Sequence, residues 1–335
     1  MATYYVDPAA TGLNDGSSWE NAFTSLQTPA TTAVASDIVY CRGTQQLSTG
    51  ILLQASGHTI SGLINFIGCN ASGVDDGTRF VLDGNSVATN CLLSDGGSYS
   101  RFANFEIKGA TANGVDDATS DSFTVTFINC KFHSNGGIGF DGASWVNANF
   151  FKCVFINNGS HGCQCNYSGT GKYLFCSFLD NTGYGYYQYI NVAYICVFIG
   201  CIFSGNSTGA SLDYGGWVMF NCIFDGNVAH GINSDFSGCY RGTLLVGNRI
   251  TNNGSYGIYD STIGYFVGTA AFNFFDGNTN GAVNGYVKLD EGSFIENGVN
   301  TNLLTGTQGY VNAENGDYNL TADATMRRVA VTLPE

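Results

Sequence analysis

Residues 221–233 read NCIFDGNVAHGIN, and residues 129–135 read NCKFHSN. Both stretches contain an Asn-Cys pair, a Phe two residues after the Cys and an Asn three residues after that Phe. A stretch that recurs with changing spacers indicates a unit of architecture more than a catalytic signature. The sequence therefore predicts a repeat protein.

The repeat covers about two thirds of the chain with an irregular period of roughly 23 residues. We take the Cys of each copy, or the residue that replaces it, as the reference position. The reference positions are Asn104, Cys130, Cys153, Cys176, Cys201, Cys222, Asn248, Asn273 and Gly292. Five residues after each one from Cys130 onward comes an Asn: Asn135, Asn158, Asn181, Asn206, Asn227, Asn253, Asn278 and Asn297. Because Asn tolerates the left-handed backbone conformation, these residues are predicted to form sharp turns.

Apolar residues alternate with mixed ones around each reference Cys. The residue two positions after the Cys is Phe, and the residue two positions before it is Ile, Leu or Phe. Period-two alternation is typical of a strand with one buried and one solvated face. We therefore predict three inward columns: the reference cysteines, then Phe132, Phe155, Phe178, Phe203 and Phe224 after them, and Ile128, Phe151, Leu174, Ile199 and Phe220 before them.

The 335-residue chain contains 46 Gly and 3 Pro, and the three Pro lie outside the repeats. This composition favours many turns and unbroken strand ladders. A coil of this length suits short strands joined by tight bends, and stacked coils bury a continuous core. Strands of successive coils then run parallel about 4.8 Å apart. We predict one elongated all-β domain.

The chain has 12 Cys, and five of them occupy one predicted inward column. A Cys in such a position behaves as a small hydrophobe, which favours free thiols over a disulfide framework. The spacing Cys163-Gln164-Cys165 is too tight for a usual zinc half-site. It predicts two strand residues that face the same side.

The fullest copy of the repeat, NNGSYGI at 252–258, resembles the repeat of right-handed parallel β-helix proteins. The opening TYYVDPAATGLNDGSSWENAFTSLQ, residues 3–27, resembles the lead-in of bacterial and phage members of the pectate-lyase-like superfamily. The resemblance implies an all-β, right-handed single-stranded parallel β-helix with an N-terminal cap. It also implies a first strand in this opening and a short helix around Trp19 to Gln27.

We accordingly predict an N-terminal strand and capping segment at 1–37, a parallel β-helix at 38–300 and a C-terminal closing segment at 301–335. The stretches IVYCRG, INFIGC and RFVLDG, between about residues 38 and 95, are predicted to be degenerate coils. The stretch NGDYNLTADATMRR resembles the family's closing segment in its first half and departs from it after Ala324.

The charge is acidic, with 26 Asp and Glu against 12 Lys and Arg and a net charge of −14. No basic stripe is present, which argues against nucleic acid as a partner. An acidic polysaccharide would be repelled unless a cation bridged it, whereas neutral glycans and proteins are compatible. The start MATYYVDPAA shows no secretory signal, and no stretch reaches the ~20 apolar residues of a membrane span. We predict a protein made in the host cytoplasm without membrane insertion.

Asp213, Asp235 and Asp260 are the candidate catalytic residues. They lie 12, 13 and 12 residues after their reference positions, so we expect them to stack in three adjacent coils. Close carboxylates raise a pKa or bind a cation, and a pair of them matches the machinery of a glycosidase. Ordinary solvated carboxylates on an acidic surface are the alternative. Calcium is the only cofactor considered, and no confident metal site is predicted.

Other acidic and His residues are weaker candidates for a functional site. Asp75-Asp76 and Asp116-Asp117 are predicted to lie in loops. His161 and His230 both lie eight residues after a reference position but three coils apart, so they cannot bind one metal together.

Tyr167, Tyr184, Tyr186, Tyr187 and Tyr189 are candidate glycan-binding residues. Alternate members that face outward would offer flat rings with polar tips for stacking against sugars. The alternative is ordinary strand propensity with partial burial.

Three functions remain open, because this fold serves enzymes and structural proteins alike. The first is a non-catalytic structural virion protein, a bacteriophage head-decoration or tail and spike component held by other virion proteins. It is favoured by the start without a signal, the acidic surface and the lack of a recognised active-site motif. The second is a polysaccharide lyase or glycoside hydrolase, and the third is a glycan-binding adhesin. The resemblance to phage spikes suggests a homotrimer.

Overall fold

Three parallel β-sheets run along the molecule and enclose one continuous core. The computed structural model describes residues 1–54, 62–94, 99–117, 123–142, 146–165, 171–188, 194–212, 215–234, 243–260, 268–284, 294–295, 310–312 and 317–320. Between residues 38 and 283, each coil contributes one strand to sheet A, then one to sheet B, then one to sheet C. The predicted all-β parallel solenoid is confirmed.

Sheet A contains eleven strands among the described residues. They are β1 (Thr3–Val6), β2 (Ile38–Arg42), β5 (Ile64–Cys69), β8 (Tyr99–Ala103), β11 (Phe123–Ile128), β14 (Val146–Phe151), β17 (Lys172–Leu174), β20 (Tyr194–Ile199), β23 (Gly215–Phe220), β26 (Thr243–Val246) and β29 (Gly268–Ala271). The predicted degenerate coils IVYCRG and INFIGC supply β2 and β5.

Within the described ranges, sheet B also contains eleven strands and sheet C contains ten. Those of sheet B are β3 (Thr44–Gln46), β6 (Phe80–Asp83), β9 (Phe105–Lys108), β12 (Lys131–His133), β15 (Val154–Ile156), β18 (Ser177–Leu179), β21 (Ile202–Ser204), β24 (Ile223–Asp225), β27 (Arg249–Thr251), β30 (Phe274–Asp276) and β32 (Phe294–Ile295). Those of sheet C are β4 (Ile51–Leu53), β7 (Leu92–Ser94), β10 (Val115–Asp117), β13 (Phe140–Gly142), β16 (Cys163–Cys165), β19 (Tyr184–Gln188), β22 (Thr208–Leu212), β25 (Ile232–Ser234), β28 (Tyr256–Asp260) and β31 (Gly281–Val283). A separate antiparallel pair, β33 (Tyr310–Asn312) and β34 (Asp317–Leu320), lies in the predicted closing segment.

The reference positions stack as predicted from Cys130 to Asn273. Lys131, the residue after Cys130, pairs with Val154, the residue after Cys153, and the same register continues through the following coils. Asn104 was assigned wrongly by one residue. Lys131 pairs with Glu106, which aligns Asn104 with Asn129 instead of Cys130. Gly292 and Asn297 lie outside the described residues.

The column two residues before the reference position points outward, which contradicts the prediction of an inward column. Phe127, three residues before Cys130, is fully buried, whereas Ile128 is half-buried on the outer side. The cause is the next residue, Asn129, whose φ of 53° turns the chain from sheet A into sheet B and breaks the alternation by one residue. The outward members are Ile128, Phe151, Leu174, Ile199 and Phe220.

The predicted turn asparagines also have a different role. The left-handed residue is the one before each of them, for example Ser134 at φ 54° and Gly205 at φ 68°. The asparagines themselves point into the interior and form an asparagine ladder with one rung per coil. Its members are Asn135, Asn158, Asn181, Asn206, Asn227, Asn253 and Asn278.

Each internal rung of the asparagine ladder satisfies its side-chain amide. Nδ2 of Asn181 donates to Oδ1 of Asn206 at 2.9 Å and to the carbonyl of Phe155 at 3.1 Å. Oδ1 of Asn181 accepts from the backbone N–H and the side-chain Nδ2 of Asn158 at 3.1 and 2.9 Å. Buried amides are costly unless they are paired in this way, so the ladder holds successive coils in one register.

Aromatic rings and thiols fill the rest of the core. Phe132, Phe155, Phe178, Phe203 and Phe224 stack with centroid separations of 4.8, 4.8, 4.6 and 4.6 Å and nearly parallel planes. The cysteines of the described residues are buried and form no disulfides, as predicted. Their thiols contact backbone carbonyls, as Cys153 Sγ does with the carbonyl of Phe127 at 3.4 Å. The prediction that Cys163 and Cys165 face the same side of a strand is confirmed.

The N-terminal segment was predicted only in part. Its first strand, β1, pairs in parallel with β2, but residues 19–26 are not helical and the helix α1 occupies Gln27–Thr32 instead. Leu26, the residue before α1, donates its backbone N–H to Oε1 of Gln45, which lies 19 residues later in sheet B. The role of this segment as a cap stays a prediction. Within the described part of the chain, no helix has the length and apolar character needed to cross a membrane.

Replacing a central rung of the asparagine ladder should destabilise the whole stack. Asn181→Ala removes one amide and leaves buried donors of Asn158 without their acceptor, at a cost of about 3 kcal/mol in the free energy of unfolding. Denaturant unfolding followed by circular dichroism measures the loss. The first rung, Asn135, is the matched control: its Oδ1 accepts the backbone N–H of Ala110, a residue without a side-chain amide, so Asn135→Ala should cost clearly less. Equal losses at the two positions would contradict the cooperative ladder.

Candidate functional site: the outer face of sheet C

Sheet C presents a column of chemically varied side chains to the outside. Strand alternation places their neighbours, among them Val115, Phe140 and Tyr186, in the core. The sheet C outer column consists, in order along the axis, of Leu93, Asp116, Asp141, Gln164, Tyr187, Ser211, Asn233 and Tyr259. All are half-buried except Ser211, which is buried.

Asp116 and Asp141 are neighbours in this column and form an acidic pair. Nδ2 of Asn90 donates to Oδ2 of Asp116 at 2.9 Å, and Nδ2 of Asn113 donates to Oδ2 of Asp141 at 3.2 Å. Burial raises the pKa of Asp116. Burial, together with the charge of Asp116, raises the pKa of Asp141 to about 6. The pair can therefore hold a proton near neutral pH.

The prediction that Asp116-Asp117 lies in a loop is wrong, because both residues belong to β10. Asp116 faces outward and Asp117 is fully buried on the inner side. Asp75-Asp76 does lie in a loop. Sequence analysis missed the pairing of Asp116 with Asp141, although the two residues are one coil apart and each is the second residue after a Gly, Gly114 or Gly139.

Two copies of a His–Tyr–Tyr cluster lie farther along the same face. In the first, the ring of His161 stacks on Tyr187 of the next coil at 4.7 Å, and Tyr187 stacks on Tyr184 at 5.0 Å. Nδ1 of His161 accepts the backbone N–H of Tyr184 at 3.0 Å. This bond fixes the ring of His161 against the aromatic pair.

The second cluster repeats the first. His230 stacks on Tyr259 at 4.5 Å with an interplanar angle of 10°, and its Nδ1 accepts the backbone N–H of Tyr256 at 3.3 Å. Tyr256 and Tyr259 stack at 5.8 Å. Burial lowers the pKa of His161 to about 4 and also lowers that of His230, so both rings are neutral at pH 7.

The two clusters are related by the repeat itself. Tyr187 aligns with Ser211, Ser211 with Asn233 and Asn233 with Tyr259, which separates the clusters by three coils or about 14 Å. The two His residues therefore do not meet, as predicted. Each instead supports a separate aromatic platform.

The predicted glycan-binding residues divide between the surface and the core. Tyr184 and Tyr187 are half-buried members of the first cluster. Tyr186 was wrongly included, since its side chain is fully buried and its hydroxyl contacts Sγ of Cys196 at 3.5 Å. Tyr167 and Tyr189 lie outside the described residues.

Asp260 does not belong to the predicted acidic column. Asp260 pairs with Ser234 and is buried, so it is one residue out of register with Asp235. Asp213 and Asp235 themselves lie outside the described residues. No group of three His, Cys, Asp or Glu side chains is arranged to hold a metal ion in the described ranges.

The family comparison agrees with this architecture. Residues 90–240 match the family model described as a right-handed beta helix region. The chain folds as a right-handed parallel β-helix. A search of curated proteins found no significant match for this β-helix protein.

Solved structures resemble the β-helix protein at low sequence identity. A pectate lyase, Pel9A, has 16% identity and a TM-score of 0.64, with coverage of 100% of this chain and 88% of the lyase. A rhamnogalacturonan lyase has 16% identity and a TM-score of 0.61, with 98% of each chain covered. ORF18 of Geobacillus virus E2 has 15% identity and a TM-score of 0.51, with 77% of this chain and 51% of ORF18 covered. At such identities the likeness shows the shared fold.

The raised pKa of Asp141 predicts a pH-dependent effect of its replacement. A carboxyl group whose pKa is higher in the folded than in the unfolded protein stabilises folding at pH values below its ordinary pKa of 3.8. This contribution to the free energy of unfolding is lost as the pH rises through about 6. Asp141→Asn should therefore raise the free energy of unfolding at pH 8 by about 1–2 kcal/mol, and by less toward pH 4. Thermal unfolding at both pH values measures the difference.

Asp15 is the control for a general effect of removing one negative charge. Hydrogen bonds from Ser17 lower the pKa of this carboxyl, which is the opposite direction. Asp15→Asn should not stabilise the protein at pH 8. If both variants gained equal stability, the local environment of Asp141 would not be the cause.

Proposed function

We propose that the protein is a rigid, non-catalytic β-helix that binds an uncharged linear polysaccharide along the sheet C outer column. The observation that carries the proposal is the repetition of one His–Tyr–Tyr cluster on the same face, three coils apart. A repeated platform on a straight support suits a ligand that is itself a repeating chain. The glycan would lie parallel to the axis and contact both platforms.

The chemistry of the face supports a sugar ligand. Tyr and His offer flat rings with polar edges, which stack on the apolar faces of pyranose rings while the hydroxyls remain hydrogen-bonded. Between the platforms lie the buried Ser211 and the half-buried Asn233, and Asn233 offers an amide group on this face. The net charge of −14 and the neutral His rings disfavour a polyanionic glycan.

We further propose that this binding rod is a bacteriophage tail, spike or head-decoration component, held by other virion proteins. A stack in which the described strands of one coil pair with those of the next gives a stiff support. The likeness to ORF18 of Geobacillus virus E2 is compatible with such a setting. Co-sedimentation of the protein with a virus particle tests this placement.

Cleavage of the bound glycan is the second candidate function, and the acidic pair favours it. Burial raises the pKa of both Asp116 and Asp141, and a glycosidase needs one carboxyl group that keeps its proton beside a second one that is ionised. Both residues lie in the same column as the aromatic platforms. Release of reducing ends that is lost in Asp141→Asn while glycan binding persists would establish cleavage in place of simple binding.

Removing one tyrosine from each platform should abolish glycan binding. The double variant Tyr187→Ala, Tyr259→Ala loses the outer ring of both clusters and is expected to bind at least 100-fold more weakly. The measurement is retention on an array of neutral plant and capsular glycans, followed by isothermal titration with the best ligand. Polygalacturonate serves as the polyanionic comparison and should not bind.

Tyr99→Ala is the matched control, because Tyr99 is a half-buried tyrosine on the outer side of sheet A. It should bind like the unaltered protein. Absence of binding to any neutral glycan would contradict the proposal, as would equal affinity of the double variant and the control.

A further inference from the structure

The outer side of sheet A carries an apolar column where solvated residues would be expected. Its members are Ile128, Phe151, Leu174, Ile199, Phe220 and Val246, which pair in register from coil to coil and are all half-buried. Ala271 continues the column in the next coil. A run of apolar side chains on an outer face marks an interaction surface more than a structural need.

The adjoining corner of the coil supports this interpretation. The corner residue adopts left-handed geometry in each coil from Asn104 to Phe272, and Asn or Gly occupies it in several of them, including Asn129, Asn221 and Gly247. Phe175 and Phe272 adopt the same geometry with φ of 55°. Their side chains are nevertheless 55% and 43% exposed. A bulky residue in strained backbone geometry with an exposed ring indicates a role outside the fold.

This region has an unusual charge pattern for so acidic a chain. We define the sheet A face by three columns. They are Asn149, Lys172, Val197, Val218 and Leu244; Phe151, Leu174, Ile199, Phe220, Val246 and Ala271; and Lys152, Phe175, Gly200, Asn221, Gly247 and Phe272. None of these residues is acidic, although the chain has 26 Asp and Glu. Two copies of a protein with net charge −14 can approach on this face without opposing carboxylates.

We propose that the sheet A face binds the same face of a second copy of this chain, with the two helix axes antiparallel. A second copy has the same coil spacing of about 4.8 Å, so its ridges match the grooves of the first along the whole face. A two-fold axis between the Ile199 and Phe220 coils brings Ile199 of one copy opposite Phe220 of the other.

The same axis gives complementary contacts at the corner. It places the exposed ring of Phe175 opposite Gly247 and places Lys152 opposite Phe272. Lysine already contacts an aromatic ring on this face, since Nζ of Lys152 lies 5.3 Å from the ring centroid of Phe151. A parallel arrangement would instead gather the four lysines of the two copies at one end of the interface.

Sedimentation velocity of the full chain over a range of concentrations tests the proposal. We expect a reversible dimer, and we expect Ile199→Asp to raise its dissociation constant at least 100-fold by placing two carboxylates beside the two-fold axis. Mixing Ile199→Asp with Ile199→Lys should restore the dimer. Val228→Asp is the matched control, because Val228 is 74% exposed away from the sheet A face, and this variant should dimerise normally.

Phe175→Asn provides a second, independent readout. Asn occupies the equivalent corner at Asn129 and Asn221, so this variant should unfold at a higher temperature when measured at concentrations where the protein is monomeric. It should also weaken the dimer. A protein that is monomeric at all concentrations, a trimer, or a dimer indifferent to both Ile199→Asp and Phe175→Asn would overturn the proposal.

Discussion

The hydrogen bond between side-chain amides of asparagines in successive coils is the interaction on which the rest of the structure depends. Each internal rung donates to the next rung and to a carbonyl of the coil before it, and it accepts twice. A slip of one residue would bury unpaired amides and would also move the stacked Phe column out of the core. The ladder therefore fixes the coil register, and the coil register fixes which residues meet on each outer face.

The candidate site follows from that constraint. Because the interior defines the register, the outer positions of sheet C are free to carry polar and aromatic side chains without loss of the core. Asp116 and Asp141 become neighbours in this way, and Tyr187 and Tyr259 are held three coils apart at a fixed separation. A stiff support keeps these groups in place before a ligand arrives, which lowers the entropic cost of binding. The proposed dimer uses the same regularity on sheet A.

Sequence periodicity predicted the parallel coils and the inward Phe column because these depend on a simple alternation within one short strand. It failed at Ile128, since the left-handed Asn129 breaks the alternation between two strands and leaves an apolar residue outside. It also misread Asn135 and its equivalents, because the tolerance of Asn for turns is a local property and the amide ladder is a contact between distant residues. The error thus concealed the interaction that matters most.

The site was harder to predict for a related reason. Offsets of 12 and 13 residues look equivalent in a sequence with irregular coils, yet one residue in a strand exchanges the inner and outer faces, as Asp260 shows. The turn between Ser204 and Thr208 is one residue shorter than the equivalent turn between Leu179 and Tyr184, because Leu179 pairs with Ser204 and Tyr184 pairs with Thr208. Such differences in turn length decide which side chains meet on the outer face. They become known only from the strand pairing in the structure.

Hydrogen exchange of the ladder's backbone amides tests the central claim most directly. The N–H groups of Asn158, Asn181, Asn206 and Asn227 each donate to the side-chain oxygen of the next rung. If the ladder locks the coils together, these four amides exchange only through global unfolding and show the same free energy of protection as one another. Exchange through local fluctuations, with protection that differs from rung to rung and falls below that of the neighbouring strands, would contradict the account.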